Sequence, residues 1–277
     1  MQPAPAHPPP ASTGPILRES AGELSLEFED GTLQSRTLRT DPARLLLEYT
    51  RLMMGFLLFR PAPRRIAMIG LGGGALARYC AAKLPDADFT AVEVSTEVIA
   101  LRTGCGVPLD GPRFHVLRED GAAFVRRDGD PLDVLLVDGF DGRGQPEELC
   151  SPAFYDACRD RLAPDGVLVA NLHVDEGGHG ARVDPLYDAF DGRIVVVDAD
   201  GSANVVVFGG VAAEFPPSFH RLVEHLRSLG ATHPVGLEST LRKIAQHRAP
   251  RARHGMRPRS GRLPASSQGA GEAYRGQ

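Results

Sequence analysis

Residues 65–75 read RIAMIGLGGGA, and this stretch is the starting point for the fold. An apolar run of β-strand type leads directly into a cluster of glycines, and a helical pattern follows to about residue 84. Glycine lets a backbone pass close to a ligand, and the N-terminus of the following helix directs free N–H groups at that ligand. The stretch therefore predicts a strand–loop–helix unit that binds a nucleoside-type ligand.

Apolar runs of strand type recur along the chain, and helical patterns separate the first five of them. Near-continuous Val, Ile and Leu content indicates strands buried on both faces, and alternation with helices indicates βαβ units in a parallel sheet. The predicted strands are 65–70, 88–94, 113–117, 132–138, 166–172, 193–198 and 203–208, and the predicted helices are 73–84, 95–103, 119–127 and 152–162.

The last two strands are separated only by Ala199–Ser202, which is too short for a parallel crossover. They must therefore form an antiparallel hairpin. The predicted fold class is α/β: a doubly wound, mostly parallel seven-stranded sheet that ends in an antiparallel C-terminal hairpin. This arrangement is typical of the Rossmann-like methyltransferase fold of S-adenosylmethionine enzymes.

A smaller unit precedes the sheet. Leu24–Phe28 alternates in polarity, Asp30-Gly31 signals a turn and Thr32–Leu38 follows, which together predict a small N-terminal β-hairpin. An amphipathic helix is predicted from Asp41-Pro42 to Leu58, with Asp41 as its N-cap. The expected units are thus 1–15 (disordered), 16–60 (hairpin and helix), 61–240 (S-adenosyl-binding α/β domain) and 241–277 (basic, disordered tail).

The charge is unevenly distributed. The 277-residue chain has a formal net charge of −4, but the segment from Arg242 onward holds nine Lys or Arg and one acid. That segment carries +8, so the rest of the chain carries −12. Tyr274 is the only aromatic residue of the tail, so it lacks the stacking groups typical of nucleic-acid binding and is expected to be a solvated appendage.

Several protein classes are excluded by pattern. The longest apolar run, Leu52–Phe59, is far shorter than the about 20 residues that cross a bilayer. The N-terminus lacks the pattern of a secretory signal. The four cysteines (Cys80, Cys105, Cys150 and Cys158) have no metal-ligand spacing. We expect a cytoplasmic protein with free thiols, no metal, no membrane and no nucleic-acid partner.

Polar residues near the glycine cluster suggest how a nucleoside is held. Glu93 ends the next predicted strand, where a carboxylate can accept hydrogen bonds from both ribose hydroxyls. Asp120 follows the third strand, where it can contact an adenine amino group, cap the next helix, or do both. The spacing fits both a dinucleotide and an S-adenosyl site, and the terminal hairpin favours the second. The predicted cofactor-binding residues are Gly70, Gly72, Gly74, Glu93 and Asp120.

The fourth predicted strand ends in a pair of acids. Asp138 stands at its carboxyl end, the edge at which open α/β sheets bind their ligands, and Asp141 follows in a glycine-containing gate loop (139–144). Two acids three residues apart can hold a cationic amine and accept its proton, which makes the amine a nucleophile. Asp138 and Asp141 are therefore the predicted catalytic residues. His173 and His179 flank a later glycine-rich loop and are expected at the surface.

Together, GLGGG, VEV, the acid after the third strand, VDGFD and DGTLQ…EYTR resemble the spermidine synthase (polyamine aminopropyltransferase) family, over about Glu23 to Gly209. The resemblance implies that Asp138 accepts the proton of the attacking amine and that Asp141 binds the amine substrate. It also implies that Gln34 approaches the nucleoside and that Tyr49 lines the amine pocket. No metal is implied, and a homodimer is left open.

The sequence departs from the family pattern at three places. The usual GGGDG loop carries an acid for the donor's aminopropyl ammonium, and Gly73 stands there instead. The usual Tyr-His-Glu is Tyr49-Thr50-Arg51, and the Asp-Pro of the gate loop is Asp141-Gly142. Arg51, if it faces the pocket, would favour a donor that retains its carboxylate.

The leading hypothesis is therefore an aminopropyltransferase that uses decarboxylated S-adenosylmethionine and a diamine such as putrescine. The alternatives are an S-adenosylmethionine-dependent methyltransferase of unknown acceptor and a non-catalytic nucleoside-binding module.

Overall fold

The computed structural model describes residues 14–27, 31, 33–141, 144–174 and 179–247. Most of the N-terminal segment expected to be disordered (1–15) and the tail beyond residue 247 lie outside these residues, as do Asp30 of the predicted turn and Gly142 of the gate loop. The described part forms a three-stranded sheet, a seven-stranded sheet and eight α-helices.

The large sheet confirms the predicted fold class. Its strands are β4 (Arg65–Ile69), β5 (Asp88–Glu93), β6 (Phe114–Arg118), β7 (Leu132–Val137), β8 (Leu162–His173), β9 (Ile194–Asp198) and β10 (Asn204–Gly210). Their order in the sheet is β6-β5-β4-β7-β8-β10-β9, with every neighbouring pair parallel except β8–β10 and β10–β9. The central strands are covered on both faces, which is why their sequences are almost continuously apolar.

Helices cover both faces of this sheet, as its doubly wound topology requires. One face packs under α1 (Glu48–Met53), a 3₁₀ helix (Met54–Leu58), α2 (Ala75–Lys83), α3 (Thr96–Leu101), α7 (Phe219–Leu229) and α8 (Leu237–His247). The other packs under α4 (Gly121–Arg126), α5 (Pro152–Asp160) and α6 (His179–Ala189). Each face has its own apolar core, and the strands separate the two cores.

The N-terminal unit is larger than the sequence predicts. The expected hairpin is present as β2 (Glu23–Glu27) and β3 (Leu33–Leu38), paired antiparallel. A further strand, β1 (Ile16–Ser20), pairs antiparallel with β2. Because β1 is mostly exposed, it has no apolar alternation that could reveal it. Besides the backbone hydrogen bonds, a surface ion pair between Arg18 of β1 and Glu27 of β2 (2.9 Å) connects the two strands.

The predicted helix from Asp41-Pro42 starts too early. Helix α1 begins at Glu48 and its N-cap is Leu47, so the expected capping role of Asp41 is wrong. The side chain of Arg51 holds the backbone before Leu47 instead, because it donates to the carbonyls of Leu45 (3.1 Å) and Leu46 (2.8 Å). Carbonyls that accept from side chains need no helical N–H partner, so the segment stays irregular.

The C-terminal boundary also differs from the expectation. Helix α8 continues to His247, so the first residues assigned to the tail, 241–247, belong to the folded domain. Within α8, Lys243 donates to Glu48 of α1 at 2.9 Å and pairs with Asp200 of the β9–β10 turn at 2.7 Å. These contacts and the buried Leu241 and Ile244 dock the helix on the sheet.

Three further observations concern the described residues only. None of their helices is long and apolar enough to cross a membrane. No group of three or more His, Cys, Asp or Glu among them is placed to hold a metal ion. The four cysteines are free thiols, as the sequence predicts.

A buried arginine joins the small sheet to the large one. Arg78 of α2 is only 3% exposed, and burial lowers the pKa of its guanidinium to about 10, so it stays charged at neutral pH. Its partners are the carbonyls of Pro42 (2.7 Å), Cys105 (2.7 Å) and Gly73, and the hydroxyl of Thr37 in β3. One side chain thus holds β3, the glycine loop and two connecting segments together.

We expect Arg78→Met to lower the free energy of unfolding by about 3–5 kcal/mol, because several buried carbonyls would lose their donor at once. Urea unfolding followed by circular dichroism measures this change. Arg65→Met is the matched control, since Arg65 is exposed and pairs loosely with Asp130 at 3.4 Å; it should change stability by less than about 0.5 kcal/mol. Equal losses in the two variants would contradict the assigned role.

Candidate active site

The glycine loop turns as its sequence predicts. Gly70, Gly72 and Gly74 have φ values of +87°, +50° and +73°, which side chains rarely adopt. Gly70 also lies against the backbone of Asp138, so a Cβ at position 70 would overlap the Asp138 carbonyl. Gly74 is the N-cap of α2. The loop therefore places the start of α2 beside the carboxyl end of β7.

Glu93 lies at the carboxyl end of β5, and its side chain holds the same glycine loop through a backbone hydrogen bond. Its Oε2 accepts from the Leu71 backbone N–H at 2.8 Å, and its Oε1 accepts from the Ser95 N–H at 2.9 Å. The side chain is 8% exposed. A carboxylate has about four lone-pair positions, so it retains capacity to accept from further hydroxyls.

Asp120 performs one of its two expected roles. It is the N-cap of α4, and its Oδ1 accepts from the Ala123 N–H at 2.7 Å. The residue is exposed, one strand further along the same sheet edge than Glu93. Capping leaves its second oxygen available, so contact with an adenine amino group stays a prediction.

A cavity of about 540 Å³ opens between the small sheet and this edge of the large sheet. Five of the predicted site residues line it: Gln34, Tyr49, Gly72, Asp138 and Asp141. Gly70, Gly74, Glu93 and Asp120 are not part of its wall; they lie along the sheet edge on the side of β4, β5 and β6. The predicted residues thus divide into two neighbouring groups, one in the cavity and one beside it.

Asp138 is the titratable group at the centre of the cavity wall. Burial raises the pKa of its carboxyl group to about 6, against the opposing effect of hydrogen bonds from Asn171 and Tyr49. The Asn171 Nδ2 donates to Asp138 Oδ1 at 2.8 Å. The carboxylate is therefore ionised at neutral pH, yet it is a better proton acceptor than an exposed aspartate.

A chain of polar side chains fixes the orientation of this carboxylate. Asn204 of β10 donates from Nδ2 to Asn171 Oδ1 at 3.0 Å, and Asn171 of β8 in turn donates from its own Nδ2 to Asp138. Tyr49 of α1 also donates to Asp138, and burial together with the Asp138 charge raises the pKa of its phenol well above the usual value. Tyr49 thus stays protonated as a donor.

Asp141 lies at the mouth of the cavity. The residue is exposed, and its backbone closes a tight turn with Gly144 through hydrogen bonds of 2.8 and 3.1 Å. Its carboxylate is therefore presented from a fixed backbone position, while Asp138 lies deeper. The two acids predicted to act together are both on the cavity wall, at different depths.

The departures from the family pattern have structural counterparts. A Cβ at Gly73 would overlap the hydroxyl of Ser35, a buried residue of β3, so the space for a side chain at position 73 is filled from the small sheet. Thr50 lies inside α1, where its hydroxyl donates to the Leu47 carbonyl at 2.7 Å. Arg51 does not belong to the cavity wall, because its guanidinium binds the two backbone carbonyls described above.

Sequence reasoning missed several residues of the cavity wall: Asn171, Asn204, Gln145 and Arg182. Asn171 carried a usable signal, since it is the single polar residue in the apolar run GVLVANL. Gln145 lies in a loop, Arg182 near the start of a helix and Asn204 at the first position of β10, all places where polar residues are ordinary. His173 is exposed, as expected, but it also lines the cavity. The side chain of His179 lies outside the described part.

Comparisons by sequence with known proteins agree on one family. Residues 46–174 match the model of the spermine/spermidine synthase domain. The polyamine aminopropyltransferase of Neisseria meningitidis (strain Z2491) is 36% identical over 193 residues, which cover 69% of this chain and 73% of that protein. The polyamine aminopropyltransferase of Chromobacterium violaceum is 36% identical over 192 residues, 69% of this chain and 74% of that protein.

The comparison with solved structures supports the fold. A crystal structure of spermidine synthase in complex with the transition-state analogue AdoDATO superimposes with a TM-score of 0.62 at 22% identity, over 86% of each chain. At that identity the likeness concerns the fold, and the sequence relatives carry the assignment. The matched domain contains the glycine loop, Glu93, Asp138 and Asp141. The chain belongs to the spermine/spermidine synthase (polyamine aminopropyltransferase) family.

Proposed function

We propose that this protein is an aminopropyltransferase of polyamine biosynthesis. The observation that carries the proposal is Asp138: a carboxylate with a pKa of about 6, held by Tyr49 and Asn171, beside a glycine loop of the type that binds S-adenosyl groups. The reaction is attack of an amine on the carbon next to a sulfonium. The new N–C bond forms as the S–C bond breaks, and a neutral thioether leaves.

The donor, decarboxylated S-adenosylmethionine, fits the sheet edge beside the cavity. Gly70, Gly72 and Gly74 let the backbone approach it, and the remaining acceptor capacity of Glu93 suits its ribose hydroxyls. Its sulfonium then faces the cavity, whose wall includes Gln34 and Gly72. Relatives bearing the name polyamine aminopropyltransferase support this donor over methyl transfer from intact S-adenosylmethionine, the alternative left open by the sequence.

Asp138 acts as the proton acceptor. The attacking amine loses a proton as the N–C bond forms, and a carboxylate ionised above pH 6 can take it. Asp141 at the cavity mouth holds an ammonium of the amine substrate, and Tyr49 packs beside the carbon chain of that substrate. Proximity and in-line orientation supply most of the remaining rate, because the reaction joins two bound substrates. Putrescine as the diamine and a homodimer stay predictions.

We predict that Asp138→Asn lowers kcat for aminopropyl transfer by a factor of about 100 to 10,000, since the proton acceptor is lost. The same variant should be more stable at pH 8. The folded-state pKa lies above the unfolded value, so the native state loses stability as pH rises from about 4 to 6, and this loss persists above pH 6. The rise of the pKa from 3.8 to about 6 corresponds to about 3 kcal/mol. Because an asparagine amide replaces one acceptor oxygen with a donor, the expected gain is roughly 1–2 kcal/mol.

Transfer is measured by mass spectrometry of the amine product and stability by urea unfolding at pH 8. Asp165→Asn is the control, because Asp165 is an exposed acid far from the cavity; it should leave transfer unchanged. If Asp138→Asn transfers at the wild-type rate, Asp138 is not the proton acceptor.

A second prediction concerns pH dependence. The acid limb of kcat/KM should have its midpoint near pH 6, with activity falling below it as Asp138 is protonated. Tyr49→Phe removes a hydrogen bond that favours the ionised carboxylate, so the limb should move to higher pH. Initial rates from pH 5 to 9 give the midpoint. An unmoved or lowered midpoint would contradict the pairing of Tyr49 with Asp138.

A third prediction concerns position 73. Gly73→Asp should destabilise the protein by about 1–3 kcal/mol, because its Cβ overlaps Ser35. Against a Ser35→Gly background, the same change should be much less destabilising, since the space is then open. The added acid should also tighten binding of decarboxylated S-adenosylmethionine relative to Ser35→Gly alone. Urea unfolding and calorimetry check both parts, and equal destabilisation in the two backgrounds would refute the steric explanation.

A further inference from the structure

Two groups on the cavity wall have no part in the proposed transfer. Arg182, in the first part of α6, lines the cavity and is partly buried. Its Nη1 lies 3.5 Å from Cys150 Sγ, a weak acceptor. No carboxylate in the described part of the chain forms an ion pair with Arg182. Other partly buried arginines do have such partners: Arg60 pairs with Asp133, Arg102 with Asp110 and Arg193 with Asp191. Within the described residues, the guanidinium is therefore held by a thiol contact and by no carboxylate, so it retains donors for a ligand in the cavity.

Gln145 is the second group. Its Oε1 and Nε2 are both buried, and neither has a hydrogen-bond partner among the residues that the structure describes. The residue directly follows the Asp141–Gly144 turn and lines the same cavity as Arg182. A buried carboxamide without partners is unfavourable by about 1–3 kcal/mol for each group, so such side chains in native proteins usually serve a ligand or water.

Together, Arg182 and Gln145 require a ligand that offers both hydrogen-bond acceptors and a donor. A guanidinium only donates, and the Gln145 Nε2 also donates, so both need an acceptor, whereas Gln145 Oε1 needs a donor. A protonated polyamine offers donors only, and its ammonium groups repel a guanidinium. An α-amino-acid group carries a carboxylate and an ammonium on one carbon. It can satisfy Arg182 and both ends of the Gln145 carboxamide together.

We propose that Arg182 and Gln145 form a subsite for the α-amino-acid group of a substrate. The guanidinium and Gln145 Nε2 bind the carboxylate, and Gln145 Oε1 accepts from the adjacent ammonium. This inference rests on the proposed function, since it concerns the substrates held in the same cavity. Asp138, Asp141 and His173 also face that cavity, so the two acids remain available for the reacting amine.

The α-amino-acid group can belong to the acceptor or to the donor, and two matched ligand pairs separate these sources. Ornithine and putrescine differ only by the α-carboxylate, and so do S-adenosylmethionine and its decarboxylated form. Isothermal titration calorimetry at pH 7.5 gives the four dissociation constants. The acceptor pair is titrated in the presence of 5′-methylthioadenosine, the thioether that aminopropyl transfer releases, so that the nucleoside position is filled.

We expect the carboxylated member of at least one pair to bind about tenfold or more tightly than its decarboxylated twin, the effect typical of hydrogen bonds to a charged group. Preference in the first pair assigns the group to the acceptor, and preference in the second assigns it to the donor. Arg182→Met should abolish the preference, and Gln145→Met should reduce it. Arg113→Met removes an equal charge from an exposed position at the start of β6, and it should leave the preference intact.

The inference is overturned if both decarboxylated ligands bind as tightly as their twins or more tightly. It is also overturned if the preference survives in Arg182→Met while thermal melting shows the variant folded. These measurements are of binding alone, so they are independent of the rate of Asp138→Asn. Loss of transfer in Asp138→Asn with no carboxylate preference would reject the subsite and keep the proposed function; the reverse pattern would keep the subsite and reject the proton acceptor.

Discussion

The arrangement of the site depends on the buried guanidinium of Arg78. It binds the glycine-loop carbonyl at Gly73 and the Thr37 hydroxyl of the small sheet at the same time. Because Gln34 and Ser35 of that sheet line or border the cavity, the guanidinium sets the distance between the cavity's two walls. A charged group in the interior is tolerated here because four oxygen acceptors surround it.

Within that frame, the chemistry is concentrated on one destabilised carboxylate. Asp138 has a raised pKa because burial penalises its charge, and Asn171 and Tyr49 only partly offset that penalty. The same penalty that lowers stability above pH 6 makes the group a better base. Gly70 belongs to this arrangement, since any side chain there would displace the Asp138 backbone. Stability and reactivity are thus opposed at one residue.

Much of the fold could be predicted from the sequence because its signals are local. The run RIAMI, the glycines after it and the short Ala199–Ser202 connection indicate parallel strands, a ligand loop and a terminal hairpin, all of which are present. The errors arose where a local rule was overridden. Strand β1 is exposed and has no apolar pattern, and Asp41-Pro42 has a capping signal that arginine contacts to the backbone make irrelevant.

By itself, the sequence determined the order of the elements, the glycine loop, and the acids at strand ends, because carboxyl ends of parallel strands meet at one edge. Only the tertiary structure decided which of these residues share a cavity. It placed Asp138 and Asp141 on the wall and left Glu93 and Asp120 along the neighbouring edge. It also brought Asn171, Asn204, Gln145 and Arg182 to the same space from four separate segments. No local pattern encodes such meetings, since they depend on how distant elements pack.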